Sequence, residues 1–239
     1  MHTLHEFLTQ TKGMEYLIAV AVLVLFIAFW RLATKPSARA QTAMANVFKA
    51  LPFGISDIKV PNGVFFGKGH LWARPELNGT MRIGVDDLIP KLVGPVKAIS
   101  VPLPNAVLQR GEKAFSVKSD GRSLDFRIPF EGKVVEVNSK ILNNPTAIYS
   151  DPYRAGWILK VKPAKLTEAL KFMKVAEDAA DWMKKEATRV RDFIANAYPG
   201  RPEPAGAILL DGGQILGGAL HKLNEIGWKN FQKEFLEEI

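Results

Sequence analysis

Residues able to perform chemistry are sparse in this 239-residue chain. It contains no cysteine, which excludes disulfides, thiol catalysis and thiolate metal sites together. The adjacent carboxylates Asp86 and Asp87 would point to opposite faces of a strand, or would cap the start of a helix. No Ser/His/Asp grouping, phosphate-binding loop or GxGxxG motif is present. The four histidines are scattered without the spacing of metal ligands: His2, His5, His70 and His221. We therefore predict no enzymatic activity, no metal site and no cofactor, and we interpret His70 as structural.

The stretch from Gly111 to Asn138 predicts a β-hairpin followed by a third strand. Apolar and polar residues alternate on both sides of an Asp120-Gly121 pair. An Asp-Gly pair between two alternating runs is typical of a two-residue type I′ turn, whose central residues both need positive φ. The tip of this hairpin would present three charged candidates for a contact surface, Lys118, Asp120 and Arg122.

Residues 68–163 have the pattern of an all-β domain. Short runs of β-forming residues are separated by Gly, Pro and Asn clusters, at the spacing of a sandwich or flattened barrel. Asp86 to Leu92 is long enough for one helical turn. The strand candidates are Leu71–Arg74, Thr80–Val85, Val96–Val101, Lys113–Ser119, Ser123–Ile128, Lys133–Asn138 and Trp157–Val161.

Positive charge is concentrated in this β-domain. The chain carries a net charge of +8, and residues 68–163 hold 15 Lys/Arg against 9 Asp/Glu. This excess is either an ordinary solvated surface or a surface that works beside anionic lipid or an acidic partner. No nucleic-acid-binding motif accompanies it, so we predict no nucleic-acid partner.

The N-terminal residues 1–33 contain an uncharged run, Tyr16 to Trp30. With its flanks it approaches the roughly 20 residues that a helix needs to cross a bilayer, so we predict a transmembrane anchor contacting lipid. Cations downstream of Trp30 predict an inner-membrane, single-pass protein with its N-terminus outside and the bulk of the chain cytoplasmic. A cleaved signal peptide, with a site near Ala38–Ala40, is the alternative.

Helical patterns flank the β-domain. Residues 34–67 form a connector in which Ser37 to Leu51 is a short helix candidate. Residues 164–198 predict a long amphipathic helix, because apolar residues recur every three or four positions from Lys165 to Tyr198. Residues 199–239 predict a Pro-rich spacer and a helical tail. Its aromatic residues would dock on a partner or pack on the chain's own long helix: Trp228, Phe231 and Phe235. The predicted fold class is α+β.

The β-domain resembles the glycine-cleavage H protein, a member of the lipoyl-domain fold family. The likeness covers about 96 of the 239 residues, and its motifs are specific in their order and spacing rather than singly. The matching pieces are His70–Arg74 for the family's HEWAR, Gly84–Asp87 for GITD, Leu92–Pro104 for LGDIVFVELP, Gly111-Glu112 for GE, Pro129–Asn138 for PVSGEVVEVN, Leu142–Pro145 for LxxxP, and Asp151–Trp157 for DPYGEGW.

The resemblance implies a carrier whose lipoate is attached to one lysine at a hairpin tip, written ESVKA in the family. That lysine lies ten residues after the Gly of GE and eight before the Pro of PVSG. Counting from Gly111 and from Pro129 leads to the same position, which is Gly121. The hairpin is therefore kept and the reactive amine is absent. Lys118, three residues earlier, is a candidate for a shifted attachment site.

Three functions follow as hypotheses. The first is a non-catalytic, non-lipoylated structural or adaptor subunit, an accessory or assembly part of a larger membrane complex in electron transfer or energy conservation, whose partners are larger membrane-protein subunits. The second is a membrane-tethered lipoyl-type carrier modified at Lys118. The third is a basic peripheral module that binds lipid or nucleic acid.

Overall fold

A computed structural model describes residues 11–33, 51–197, 209–210 and 214–238. They belong to two compact units, Met1–Met44 and Ala45–Ile239. The predicted helix from Ser37 to Leu51 and the predicted spacer after residue 198 lie almost wholly outside the described residues.

The first unit contains one described helix, α1 (Thr11–Ala33). Its uncharged segment, Tyr16–Trp30, is about 22 Å long at 1.5 Å per residue, which is shorter than the roughly 30 Å hydrocarbon core of a bilayer. Within the described ranges, no helix has the length and apolar character needed to cross a membrane. This finding contradicts the predicted transmembrane anchor and the predicted single-pass location in the inner membrane. The lipid contact of Tyr16–Trp30 stays a prediction.

The second unit is built on two antiparallel sheets of a β-sandwich. One has the strand order β2-β3-β4-β10-β9-β6, and the other has the order β5-β7-β8. A third, small sheet, β1-β12-β11, joins the start of the unit to its C-terminal part. The strands are β1 (Pro52–Phe53), β2 (Phe65–Phe66), β3 (Leu71–Pro75), β4 (Met81–Val85), β5 (Ala98–Ser100), β6 (Val107–Leu108), β7 (Lys113–Ser119), β8 (Arg122–Arg127), β9 (Gly132–Val137), β10 (Leu159–Pro163), β11 (Leu209–Leu210) and β12 (Gln214–Leu216).

A single core fills the sandwich. Alternating residues of the larger sheet, such as Ile83 and Val161, belong to the same buried cluster as Phe115 and Phe126 of the smaller one. The rings of Phe115 and Phe126 stack at 5.1 Å between centroids. The predicted α+β fold with a central β-sandwich is confirmed, and each predicted strand of the β-domain has its counterpart.

Short helices connect the strands: α2 (Leu88–Val93), α3 (Ser139–Asn143) and α4 (Ala147–Ser150). The backbone N–H groups of Leu88 and Ile89 donate to Asp86 Oδ1, at 3.1 and 3.3 Å. The Asp86 carboxylate is therefore a helix cap, in line with one of the two interpretations of the Asp86-Asp87 pair.

The predicted long helix is two helices, α5 (Leu166–Lys171) and α6 (Ala176–Asn196). The break has a physical cause, because Lys174 leaves the helix to pair with β2. Its N–H donates to the Phe66 carbonyl and its carbonyl accepts from the Phe66 N–H, both at 2.8 Å. The apolar stripe of α6 is buried within its own unit: Ala179, Met183, Ala187, Val190 and Ile194.

The C-terminal segment also packs on its own chain. It comprises a 3₁₀ turn (Ala219–Lys222), α7 (Glu225–Phe231) and a π-helical turn (Gln232–Leu236). Trp228 is 7% exposed, while Phe231 and Phe235 are fully buried. Both phenylalanine rings make edge contacts with Phe193 of α6, at 5.9 and 5.3 Å. These three aromatic residues are thus not an exposed docking segment for a partner, which corrects that interpretation and supports the intramolecular one.

Candidate functional site

The hairpin tip has the predicted geometry. Strands β7 and β8 pair from Lys113 to Ser119, and the two residues between them have positive φ, +44° at Asp120 and +80° at Gly121. Such a turn favours glycine at its second position, because a Cβ is strained there. A side chain added at Gly121 would nevertheless meet nothing within 4 Å. The second position of the turn therefore has open space around it and carries no side chain, while the first position carries the Asp120 carboxylate.

Below the apex, Ser119 ties the hairpin to a neighbouring loop and to the C-terminal segment. Its hydroxyl is 1% exposed and donates to the Pro95 carbonyl at 2.6 Å. The His221 Nε2 atom lies 2.9 Å from the same oxygen. Since the hydroxyl proton is engaged with Pro95, the ring N–H is the donor in that second bond. Ser119 is buried, His221 is half-buried, and the hydroxyl proton is engaged with Pro95, so this pair does not supply a nucleophile.

Arg122 links the first residue of β8 to the same C-terminal segment. Its Nη1 atom donates to the Leu223 carbonyl at 2.8 Å, and its guanidinium lies 5.2 Å from the centroid of the Trp228 ring. The Trp228 indole N–H in turn donates to the Ser123 carbonyl at 3.0 Å. The residues on the β8 side of the turn are therefore held by the segment that follows α6.

A two-way bond continues this contact along β8. The Asp125 N–H donates to Gln232 Oε1 and the Gln232 amide donates back to the Asp125 carbonyl, each at 2.9 Å. Strand β8 is an edge of its three-stranded sheet, and an edge strand exposes unpaired backbone groups. The Gln232 side chain occupies the place of a neighbouring strand at this point. We refer to Leu223, Trp228 and Gln232 together as the tail clamp.

The other two predicted tip residues are more exposed. Lys118 lies in the central strand, paired with Ala98 on one side and Ser123 on the other. Its backbone carbonyl accepts from the Lys97 N–H at 2.8 Å. Asp120 forms an ion pair of 2.8 Å with the Lys97 ammonium, which is 67% exposed. An exposed pair of this kind contributes little to stability.

A second polar cluster lies inside the unit. His70, with φ of +60°, is fully buried, and its Nδ1 atom is 2.7 Å from the Asp86 carboxylate. Its Nε2 atom is 3.6 Å from Glu186 of α6, too far for a hydrogen bond but close enough for attraction between charges. Arg189 pairs with Glu186 at 3.1 Å. Burial alone would lower the pKa of His70, but the Asp86 and Glu186 carboxylates outweigh it and raise that pKa to about 9. The interpretation of His70 as structural fits this arrangement, whereas Glu186 and Arg189 carried no recognisable sequence signal.

This cluster predicts a pH-dependent stability. The folded pKa of His70 is about 9 against an ordinary 6.5, so its contribution is complete below pH 6.5 and is lost as pH rises through 9. The full effect is on the order of 3 kcal/mol. Denaturant unfolding of the wild type should show stability falling between these pH values. A His70→Asn variant, which tolerates the left-handed backbone, should be less stable at pH 6.5 and should lose this slope. Equal slopes in the two proteins would show that His70 is neutral when folded.

An antiparallel β-sandwich that carries a two-residue hairpin at the end of its smaller sheet, with open space at the Cβ position of Gly121, has the architecture of a lipoyl-type domain. Comparison with known proteins makes the class specific. The family model described as "Glycine cleavage H-protein" matches residues 64–186, and the chain belongs to this family. A second model, described only as "Protein", matches residues 1–36.

Two relatives in sequence agree with this assignment. The chain is similar to a "Probable glycine cleavage system H protein" of Pyrococcus abyssi, with 33% identity over 130 residues, which are 54% of this chain and 96% of that one. It is 37% identical over 105 residues to "Glycine cleavage system H protein 2" of Pseudomonas syringae, covering 44% of this chain and 81% of that one. A crystal structure of the H protein from Mycobacterium marinum aligns at 26% identity with a TM-score of 0.46, covering 52% of this chain and 98% of that one.

Proposed function

We propose that this protein is a non-lipoylated, non-catalytic member of the family that acts as an adaptor or structural subunit of a larger protein complex. The observation that carries the proposal is the glycine at the apex of the hairpin. A swinging-arm carrier needs an amine at an exposed turn, where a ligase and the partner enzymes can reach it. Gly121 occupies that position and has no side-chain amine to acylate.

The regular pairing of the hairpin near its tip supports this alignment. Ser119 pairs with Arg122, Lys118 with Ser123 and Val117 with Leu124. A two-residue turn with this register fixes the apex at Asp120-Gly121 and leaves no extra residue that would bring Lys118 to the tip. The count from Gly111 and the count from Pro129 therefore describe a hairpin without an insertion beside its turn.

The tail clamp supports a holding role rather than a transfer role. Carrying a group between active sites requires a tip that enters other proteins. Here the base of the tip is bonded through Ser119 and Arg122 to a segment outside the matched residues 64–186. The clamp fixes the shape of the hairpin, which suits a surface that is recognised as it stands. The partners we propose are larger protein subunits.

Intact-mass measurement on the chain purified from its native source tests the absence of modification. We expect the mass to equal that of the polypeptide, because the apex offers no amine. Native mass spectrometry of the same preparation should show it bound to larger subunits in fixed proportion. A lipoyl or octanoyl adduct, or a chain recovered only as a free monomer, would overturn the proposal.

A shifted carrier is the second candidate, and one observation favours it. The Lys118 side chain is exposed, and within the described part of the chain no ion pair engages its ammonium. Against it, the backbone of Lys118 is bonded on both sides within the sheet, so a ligase would meet a flat strand instead of a turn. Peptide mapping distinguishes the two, because an adduct on Lys118 that disappears in Lys118→Arg supports the carrier.

A further inference from the structure

A row of cations crosses the outer face of the six-stranded sheet. Arg74 on β3 lies opposite Arg82 on β4, and Arg82 lies opposite Lys160 on β10. Lys162 and Lys133 form a further pair, on β10 and β9. Directly opposite residues in an antiparallel sheet share a face, so all five side chains are on one side. We call Arg74, Arg82, Lys160, Lys162 and Lys133 the basic ladder.

The ladder is only partly neutralised by the chain itself. Glu76 contacts Arg82 at 2.8 Å and Lys160 at 3.6 Å, and Glu136 contacts Lys160 at 2.8 Å. Hydrogen bonding to Glu136 raises the pKa of Lys160, which keeps its ammonium charged. Within residues 51–197 and the described C-terminal segment, no carboxylate pairs with the other three cations, Arg74, Lys133 and Lys162. Like charges placed directly opposite destabilise a sheet, so packing alone does not explain why Arg74 faces Arg82 and Lys133 faces Lys162.

The dimensions of the ladder suit a short extended segment. Adjacent strands are about 4.8 Å apart, so Arg74 and Lys160 are separated by about 10 Å, while Lys160 and Lys162 are about 7 Å apart along β10. Carboxylates on alternate residues of an extended peptide have the same 7 Å repeat. The Trp157 ring lies 5.4 Å from the Arg82 guanidinium and 5.7 Å from the Lys160 ammonium, which gives the patch an apolar centre.

The neighbourhood of the ladder favours protein over nucleic acid. A groove of about 560 Å³ adjoins it at Glu136 and Trp157 and extends to Ser139 and Ile141. The carboxylates of Glu76 and Glu136 stand among the cations and would repel an uninterrupted row of phosphates. An acidic protein segment can place a polar or basic residue opposite each of these two carboxylates. Nucleic acid cannot do so, because its backbone carries a phosphate at every position, and the mixed charge of the ladder therefore favours a protein partner.

We propose that the basic ladder is the docking surface for an acidic, extended segment of a partner protein. This inference rests on the proposed function in one respect, since an adaptor needs a surface by which it holds another protein. The ladder and the hairpin belong to different sheets, so occupation of one leaves the other free.

Fluorescence anisotropy with the full chain tests this site. The probe is a fluorescein-labelled peptide of alternating glutamate and serine, about twelve residues long, measured at low and at physiological salt. Arg74→Glu/Lys162→Glu reverses two ladder cations that have no ion pair in the described structure, so no ion pair of the fold is lost, and circular dichroism checks that the variant is folded. Lys171→Glu/Lys185→Glu, on α5 and α6, makes the same change in net charge elsewhere. We expect the ladder variant to bind at least tenfold more weakly, and the control less than twofold.

Three results would overturn the inference. They are no binding of the peptide at low salt, equal weakening in both double variants, and tighter binding of a DNA duplex that is lost in the ladder variant. The first two results would show that the ladder is an ordinary solvated surface, and the third would show that it binds nucleic acid. An acyl adduct found by intact mass, together with peptide binding that depends on the ladder, would contradict the proposed function and support the docking surface. An unmodified chain that does not bind the peptide would contradict the docking surface and leave the proposed function unaffected.

Discussion

Replacing Phe235 with alanine is expected to destabilise the Ala45–Ile239 unit by about 3–5 kcal/mol. Phe235 is fully buried, stacks on Phe231 at 4.9 Å and meets the edge of Phe193 at 5.3 Å. The Arg189 guanidinium lies 4.4 Å from the centre of its ring. Removal of the Phe235 ring leaves a cavity between α6 and the C-terminal turn. The surrounding side chains cannot fill this cavity unless both the helix and the turn move. Urea unfolding of the full chain measures the loss.

The same variant should also loosen the hairpin, because the π-helical turn that holds Phe235 also holds Gln232. Amide exchange at Asp125, whose N–H is bonded to Gln232, should speed up, while amides paired inside the sheet, such as that of Val117, stay slow. Ile226→Ala is the matched control. Its side chain is 69% exposed, so we expect a change within about 0.5 kcal/mol. Equal effects of the two substitutions would show that the C-terminal segment does not pack on its own chain.

The parts of the fold that the sequence predicts are those encoded by local sequence patterns. Alternation of apolar and polar residues located strands such as β7 and β8, and the Asp120-Gly121 pair located the turn between them. A two-residue strand has too few residues to alternate, which is why β6 (Val107–Leu108) was not predicted. The break between α5 and α6 depends on the pairing of Lys174 with Phe66, a contact that no local pattern encodes.

The candidate site likewise has features that local sequence patterns predict and features that depend on contacts between distant residues. The place of Gly121 in the turn follows from the local sequence pattern, and its match to the attachment position follows from the resemblance to the family. The bond from Arg122 to the Leu223 carbonyl joins residues 101 positions apart, and that from Trp228 to the Ser123 carbonyl joins residues 105 apart. The aromatic residues of the tail were recognised as buried against something, but hydrophobicity does not specify which surface covers them. The structure assigns them to their own chain.

Rebuilding the family's tip is expected to make the hairpin accept lipoate. Residues 118–122 read Lys-Ser-Asp-Gly-Arg, and four substitutions turn them into the family's ESVKA: Lys118→Glu, Asp120→Val, Gly121→Lys and Arg122→Ala. A lysine at position 121 has open space around it, since nothing lies within 4 Å of the Cβ that it adds. With a lipoate ligase, lipoate and ATP, we expect intact mass to show most of the variant acylated and none of the wild type.

The four substitutions are also expected to lower the stability of the chain, for two reasons. A lysine Cβ is strained at the positive φ of position 121, by roughly 1–2 kcal/mol, a β-branched valine is disfavoured at the positive φ of position 120, and loss of Arg122 removes one bond of the tail clamp. The variant should therefore unfold at lower denaturant while it still folds. The matched control carries the other three substitutions and keeps Gly121, so it shares the altered surroundings but has no amine at the apex. Acylation of that control, or of the wild type at Lys118, would show that the glycine at the apex does not prevent acylation of this hairpin. A folded four-fold variant that the ligase ignores would place the barrier in the clamp that surrounds the tip instead of in the missing nitrogen.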